Sequence, residues 1–175
     1  KENTKRTKKY NRSLAMHPKN QIGLSYGISD FSYYGFNYHH YFTKNFGCYI
    51  HYENSLNVVE NSLNVVDYPP VGSLKSLSGV SAGFEVFNLG SSLRFAGDGI
   101  SDFETDANAW FYYGLGRSTE KLFDRYFNGE YVRNGEIHKF NLNIGILLQY
   151  SAGASWQVGF NSTLNLLYFG LGFSW

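Results

Sequence analysis

The 175-residue chain carries 15 Tyr, 15 Phe and 19 Gly but only 3 Pro, 1 Met and 1 Cys, with a formal net charge of +1. That length allows one domain with its own core, and the aromatic and glycine bias suits many short strands around a crowded interior. The longest apolar run, Ala109 to Tyr113, falls far short of the roughly 20 residues that a membrane-crossing helix needs, whereas a membrane strand, in which only alternate residues meet lipid, stays open.

The charge is unevenly placed. Residues 1–19 hold seven Lys/Arg against Glu2, a net of +6, which leaves −5 for the remainder. Lacking any apolar period, they predict a flexible basic tail ahead of one folded unit over residues 20–175. Cys48 has no partner with which to build a disulfide framework. No apolar leader precedes Met16, so any signal peptide has been removed or never existed.

From Gln21 the chain alternates: Ile22, Leu24, Tyr26 and Ile28 share one face, Gly23, Ser25, Gly27 and Ser29 the other. A period of two is a strand. After a turn near Asp30, Tyr34, Phe36, Tyr38, His40 and Phe42 alternate with Gly35, Asn37, His39 and Tyr41, and Thr43-Lys44-Asn45 has hairpin length. The third strand places Cys48, Ile50 and Tyr52 against Gly47, Tyr49, His51 and Glu53. A perfect tandem heptad follows, E-N-S-L-N-V-V at Glu53 to Val59 and again at Glu60 to Val66. Two units are too few for a coiled coil and Tyr-Pro-Pro comes next, so it reads as a duplication inside a long loop.

Alternation resumes at Gly79, with Val80, Ala82, Phe84 and Val86 on one face and Ser81, Gly83 and Glu85 on the other. Residues 88–106 give the weakest pattern. Ala109, Phe111, Tyr113 and Leu115 then alternate with Trp110, Tyr112, Gly114 and Gly116; the charged residues 117–136 predict a second long loop; and Phe140, Leu142, Ile144, Ile146, Leu148 and Tyr150 alternate with Asn141, Asn143, Gly145, Leu147 and Gln149. Ser151 to Ala154 is a small-residue turn, and Trp156, Val158 and Phe160 open the next strand in even phase. The last stretch, Asn165 to Trp175, puts Leu167, Phe169, Leu171, Phe173 and Trp175 in odd phase, so Asn161-Ser162-Thr163 must be a break.

In these strands the bulky residues sit on one face and glycine, serine or amides on the other. That fits lipid outside and a narrow, filled interior, giving an all-β fold: an eight-stranded antiparallel up-and-down transmembrane β-barrel. An even count puts both chain ends on one side, with the short turns at 43–45 and 151–154 there and the long segments 53–78 and 117–136 opposite. Residues 88–106 are too long for the short-turn side, so a ten-strand count also stays open. Phe42, Phe46, Tyr150, Trp156 and Trp175 collect beside the short turns and the terminus, as an interfacial girdle does. The terminal L-x-F-x-L-x-F-x-W pattern, the F-T-K-N-F turn and the strand-to-loop rhythm over Gln21 to Trp175 resemble small bacterial outer-membrane barrels of the OmpA/OmpX type. The resemblance implies a periplasmic tail and girdle, a location in the bacterial outer membrane, contact with its lipid and lipopolysaccharide, and recognition of Phe173 and Trp175 by the barrel-assembly machinery. It is silent on activity.

Parity places His39, His51, Glu53, Glu85, Asn37, Asn141, Asn143, Gln149, Gln157 and Tyr49 inside, where a barrel of this width is filled by side chains forming a hydrogen-bonded plug. His51, Glu53 and Ser55 alternate on one strand, so an outer-membrane lipid-modifying enzyme is one alternative, although such residues lie about 7 Å apart along a strand. A soluble, lipocalin-like carrier of a hydrophobic ligand is another, and it requires the interior to be apolar. Asp98, Asp102, Glu104 and Asp106 lack the ordered spacing of a calcium loop and read as solvated carboxylates, so no metal or cofactor is expected. The basic arm has only Tyr10 for stacking, which argues against nucleic acid and for docking on lipid head groups or on another outer-membrane or periplasmic subunit. The expectation is a non-enzymatic outer-membrane barrel with a structural or surface-interaction role, or an accessory subunit of an outer-membrane complex.

Overall fold

The alternating segments form β1 (Asn20–Ile28), β2 (Ser32–Tyr41), β3 (Phe46–Ser55), β4 (Lys75–Ala96), β5 (Ala107–Tyr126), β6 (Tyr131–Tyr150), β7 (Ala154–Asn161) and β8 (Leu166–Ser174). These eight strands make one closed barrel in which each pairs antiparallel with its sequence neighbours and β8 returns to β1. The structure, a computed structural model, describes residues 18–29, 32–55, 74–96, 107–150 and 153–175. The tail as far as residue 17, the heptad duplication from residue 56 and the acidic cluster of residues 98–106 lie outside them.

The barrel is eight-stranded rather than ten-stranded, because residues 88–96 continue β4 instead of forming a separate connection. Along that stretch Phe87, Leu89, Leu93 and Phe95 point outward while Val86, Asn88, Ser92 and Arg94 are buried. The pattern is that of a wall strand with one face outward and the other in the lumen. It also corrects Glu85, expected inside: it shares the odd phase of Phe87 and Leu89, so it projects from the outer face, where it meets Lys121 at 3.0 Å. The even-numbered Val86 takes the inward position. The apolar residues Phe84 and Val86 belong to an interior cluster at this height, which is why an apolar face read as the outer wall misleads here; register shifts at Leu77/Val80 and Ser81/Gly83 mark bulges just before it. Gly79 adopts φ +67°, a left-handed conformation in which any side chain is strained.

Residues 117–136 are likewise not a loop. The strands β5 and β6 run on as 20-residue elements and β4 as a 22-residue one, while the other five strands are 8 to 10 residues long. At about 3.3 Å per residue, β4, β5 and β6 stand well clear of the barrel as a projecting sheet. The hairpin between β5 and β6 turns at Tyr126–Glu130, where the Gly129 N–H bonds the Tyr126 carbonyl at 3.0 Å and Gly129 takes φ +87°.

Inside the barrel, tyrosine is matched to glycine. A Cβ added at Gly145 would strike the Tyr112 hydroxyl, one at Gly159 would strike the Tyr168 ring, and one at Gly114 would meet the Tyr49 hydroxyl at 2.5 Å. Three large rings therefore occupy the volume that facing strands vacate, which brings the lumen to solid packing. Substituting Gly159→Ala forces Tyr168 out of place and is expected to cost about 1–3 kcal/mol, read as a lowered urea midpoint for the protein refolded in lipid vesicles. Gly135→Ala in the projection, where nothing lies within 4 Å, is expected to shift stability by less than about 0.5 kcal/mol.

Candidate functional site

The lumen is stacked in layers. At the end holding the chain termini, Tyr41 packs on Trp110 with ring centroids 4.1 Å apart, and the indole N–H of Trp110 donates to Gln149 Oε1 at 2.7 Å. Above them His39 stacks on Tyr49 at 5.2 Å and its Nδ1 lies 3.0 Å from Ser92 Oγ. Asn143 is the hub of the middle layer: its Oδ1 accepts from the Tyr49 hydroxyl at 2.9 Å and the Tyr168 hydroxyl at 3.0 Å, and Tyr112 lies 2.9 Å from the Tyr168 oxygen. The next layer holds His51, Glu53 and Ser25, with Asn141 donating to Asn88 at 2.6 Å. An apolar lid of Tyr33, Val86, Leu164 and Leu166, with Phe84 against it, closes the far end.

All of the interior residues expected from parity other than Glu85 are buried here: His39, His51, Glu53, Asn37, Asn141, Asn143, Gln149, Gln157 and Tyr49. The lid is not apparent from parity alone, and neither are the contacts between strands distant in sequence. Large apolar side chains meanwhile cover the outer face, from Leu24 at 73% exposure to Ile144 at 36%. This arrangement is the reverse of a lipocalin-like carrier, whose cavity is apolar and whose exterior is polar.

The catalytic alternative does not assemble. Ser55 Oγ accepts the Phe84 N–H at 2.7 Å, and the serine beside His51 is Ser25. Ser25 Oγ and Glu53 Oε1 both approach the same nitrogen, His51 Nε2, each at 3.3 Å. A nucleophile–base–carboxylate relay needs the two on opposite ring nitrogens. The group is also buried beneath the lid.

At the terminal end the outward aromatics meet in pairs. Phe42 stacks on Phe46 at 6.0 Å, Phe173 on Trp175 at 6.4 Å, and the Trp156 indole donates to the Tyr150 hydroxyl at 3.0 Å.

At the other end the projecting sheet is tied by charge. Lys139 reaches Glu120 at 2.8 Å, Lys121 reaches Glu85, Arg133 pairs with Glu136 and Lys75 with Asp124. Asp124 is the knot: its Oδ1 also accepts from Ser78 Oγ at 3.1 Å, the Gly79 N–H at 3.1 Å and Asn134 Nδ2 at 2.8 Å, joining all three strands at the β4 bulge. Burial pushes its pKa upward, but the Lys75 ammonium and the Gly79 and Ser78 donors outweigh it and hold the carboxyl below its usual range. One edge of this sheet is open. The ladder between β7 and β6 runs only from Asn143 to Gln149, followed by Ser162 N–H to the Leu142 carbonyl at 2.9 Å and Thr163 Oγ1 to the Phe140 carbonyl at 2.8 Å. Beyond Phe140, no strand among the described residues pairs with that side of β6. The signal that would have revealed the projection is Asn128-Gly129, a hairpin dipeptide flanked by Phe127 and Tyr131.

No protein-family model and no curated protein matches the sequence. Among solved structures the fold is similar to the N-terminal β-barrel domain of OprF from Pseudomonas aeruginosa, with TM-score 0.55 and 13% identity over 89% of this chain and 96% of that one. It also matches the attachment invasion locus protein Ail of Yersinia pestis in complex with the heparin analogue sucrose octasulfate, with TM-score 0.45 and 10% identity over 87% of this chain and 90% of that one. A third match is Neisserial surface protein A, with TM-score 0.43 and 8% identity over 89% and 94%. The OprF likeness shows the fold, an eight-stranded antiparallel up-and-down β-barrel that resembles the small outer-membrane barrels.

Because the folded-state pKa of Asp124 is depressed, its contribution is fully present above the unfolded value of about 3.9 and is lost as pH falls through the folded value. Amide exchange in the projection is therefore expected to accelerate selectively below that pH. Asp124→Ala is expected to loosen the projection by roughly 1–3 kcal/mol at neutral pH and to abolish the pH dependence, with exchange in β1 and β8 unchanged.

Proposed function

We propose that this protein is a non-enzymatic β-barrel of the bacterial outer membrane whose projecting β4–β5–β6 sheet is a recognition element at the cell surface. The carrying observation is that edge: among the described residues, 131–139 of β6 form a strand paired on one side only, raised clear of the barrel. Such an edge offers backbone N–H and C=O groups to an extended segment of a partner, and the alternating side chains supply selectivity. The outward apolar belt and the OmpA/OmpX-type fold support the membrane location. The sealed lumen supports a role played on the surface rather than by passage through the barrel.

In this reading the termini and the girdle of Phe42, Phe46, Tyr150 and Trp156 face the periplasm, Phe173 and Trp175 present the barrel-assembly signal, and the projection faces outward. Three observations on intact cells and extracts test it. The chain should require detergent for extraction and migrate faster on a gel unheated than boiled. Trypsin added to whole cells should cut in the projection, at Lys121, Arg125 or Arg133. The wall of β1–β3 and β7–β8 should resist, since those strands carry no Lys or Arg. A chain that is soluble without detergent, or a projection protected on intact cells and cut only after lysis, would contradict the proposal.

A further inference from the structure

Where the projection leaves the barrel, the outer wall holds a cleft of about 280 Å³ lined by Tyr52, Glu85, Val86, Phe87, Arg117 and Thr119. Its height is set by register. Arg117 lies directly between Phe87 on β4 and Phe140 on β6, and the next row up is Glu85, Thr119 and His138. Phe87, Leu115 and Phe140 are exposed on the outer face. Arg117 thus stands where the apolar wall gives way to charge.

Among the described residues, no carboxylate pairs with the guanidinium there. Arg117 Nε donates to Thr119 Oγ1 at 3.3 Å and Nη2 lies 3.4 Å from His138 Nε2. A guanidinium cannot accept, so Nε2 is the acceptor and His138 Nδ1–H donates to Thr119 Oγ1 at 3.2 Å, which leaves the threonine O–H free to donate outward. Neither partner of Arg117 is a carboxylate. The nearby carboxylates are each held by another cation, Glu85 by Lys121 and Glu136 by Arg133, and Glu136 stands 3.9 Å from His138. Charge is also one-sided around the barrel: β1, β2, β3, β7 and β8 contain no Lys or Arg.

We propose that this cleft binds the phosphate of an anionic lipid in the outer leaflet, with Arg117 as its main ligand, the Thr119 and Tyr52 hydroxyls as further donors, and the acyl chains along Phe87, Leu115 and Phe140. The inference rests on the outer-membrane reading above and adds a site and a ligand class to it. Guanidinium is the side chain best matched to a phosphate, through paired N–H donors, and a lipid carries both the anion and the apolar body that this row of residues accommodates.

The test is native mass spectrometry of the full chain in detergent, titrated with lipid A and, in parallel, with its dephosphorylated form. Wild type is expected to prefer the phosphorylated lipid, and Arg117→Gln to weaken that binding by about tenfold while leaving the dephosphorylated lipid unaffected. Arg125→Gln, at the remote end of the projection, is expected to bind as wild type. Equal binding of both lipids, or no effect of Arg117→Gln, would overturn the proposal. So would displacement of the lipid by equimolar inorganic phosphate, which would make the cleft a site for the free anion. Heat-modifiable insertion into neutral phosphatidylcholine vesicles is measured on each variant: if wild type fails to insert, the membrane reading falls and this inference with it, whereas insertion without Arg117-dependent binding overturns this inference alone.

Discussion

The structure depends on closure of the sheet. In hydrocarbon a backbone N–H or C=O without a partner costs several kcal/mol, so a strand cannot leave an edge facing lipid. The seam between first and last strands meets this requirement, running in unbroken register from Gln21 opposite Ser174 to Ile28 opposite Leu167. It is locked at its end by reciprocal bonds of 3.0 Å between Asn20 and Trp175. Because Ile22 stands beside Phe173 and Leu24 beside Leu171, closing the backbone also aligns the apolar faces. Each further strand then takes its phase from its neighbour around the ring.

Two consequences follow from that one constraint. Inside, closure at eight strands leaves a lumen only as wide as its side chains, and glycines at 114, 145 and 159 let three tyrosines and a hub asparagine fill it with rings and hydrogen bonds. Outside, closure ceases to matter once the strands rise into water, which satisfies an exposed edge at little cost. The three long strands exploit this by leaving the ring as a sheet whose β6 edge pairs with no strand among the described residues, held together by the Asp124 knot and a set of ion pairs beside the buried Phe123 and Tyr131. The membrane part and the projection therefore obey different rules within the same strands, and the row of Phe87, Arg117 and Phe140 marks the change.

The same division explains what could be read from the residues alone. Strands with lipid on one side and lumen on the other carry a strict alternation, so Ile22 to Ile28, Phe140 to Tyr150 and Leu167 to Trp175 were legible, as were lumen residues such as His39, His51 and Asn143. The projection was not, because its side chains are mostly charged or polar and no apolar period survives; residues 117–136 read as a charged loop although they are two strands and a hairpin turn. Glu85 was misplaced because the apolar side of its strand, Phe84 and Val86, turns inward to the lid at this height, so apolar character does not mark the outer face there. Contacts such as Ser25 with His51 or Trp110 with Gln149 depend on register across the ring and carry no local signal.

The central claim is that aliphatic side chains on one parity meet lipid while those on the other are sealed in the lumen. Methyl-detected NMR of the protein in lipid nanodiscs measures this without altering a residue, through cross-peaks between side-chain methyls and lipid acyl-chain protons. Ile22, Leu24, Ile144, Ile146 and Leu171 should show such cross-peaks, and Leu147, Leu166 and Val86 should show none. Acyl-chain contacts at Leu147 and Leu166, with Ile144 and Leu171 silent, would contradict the account.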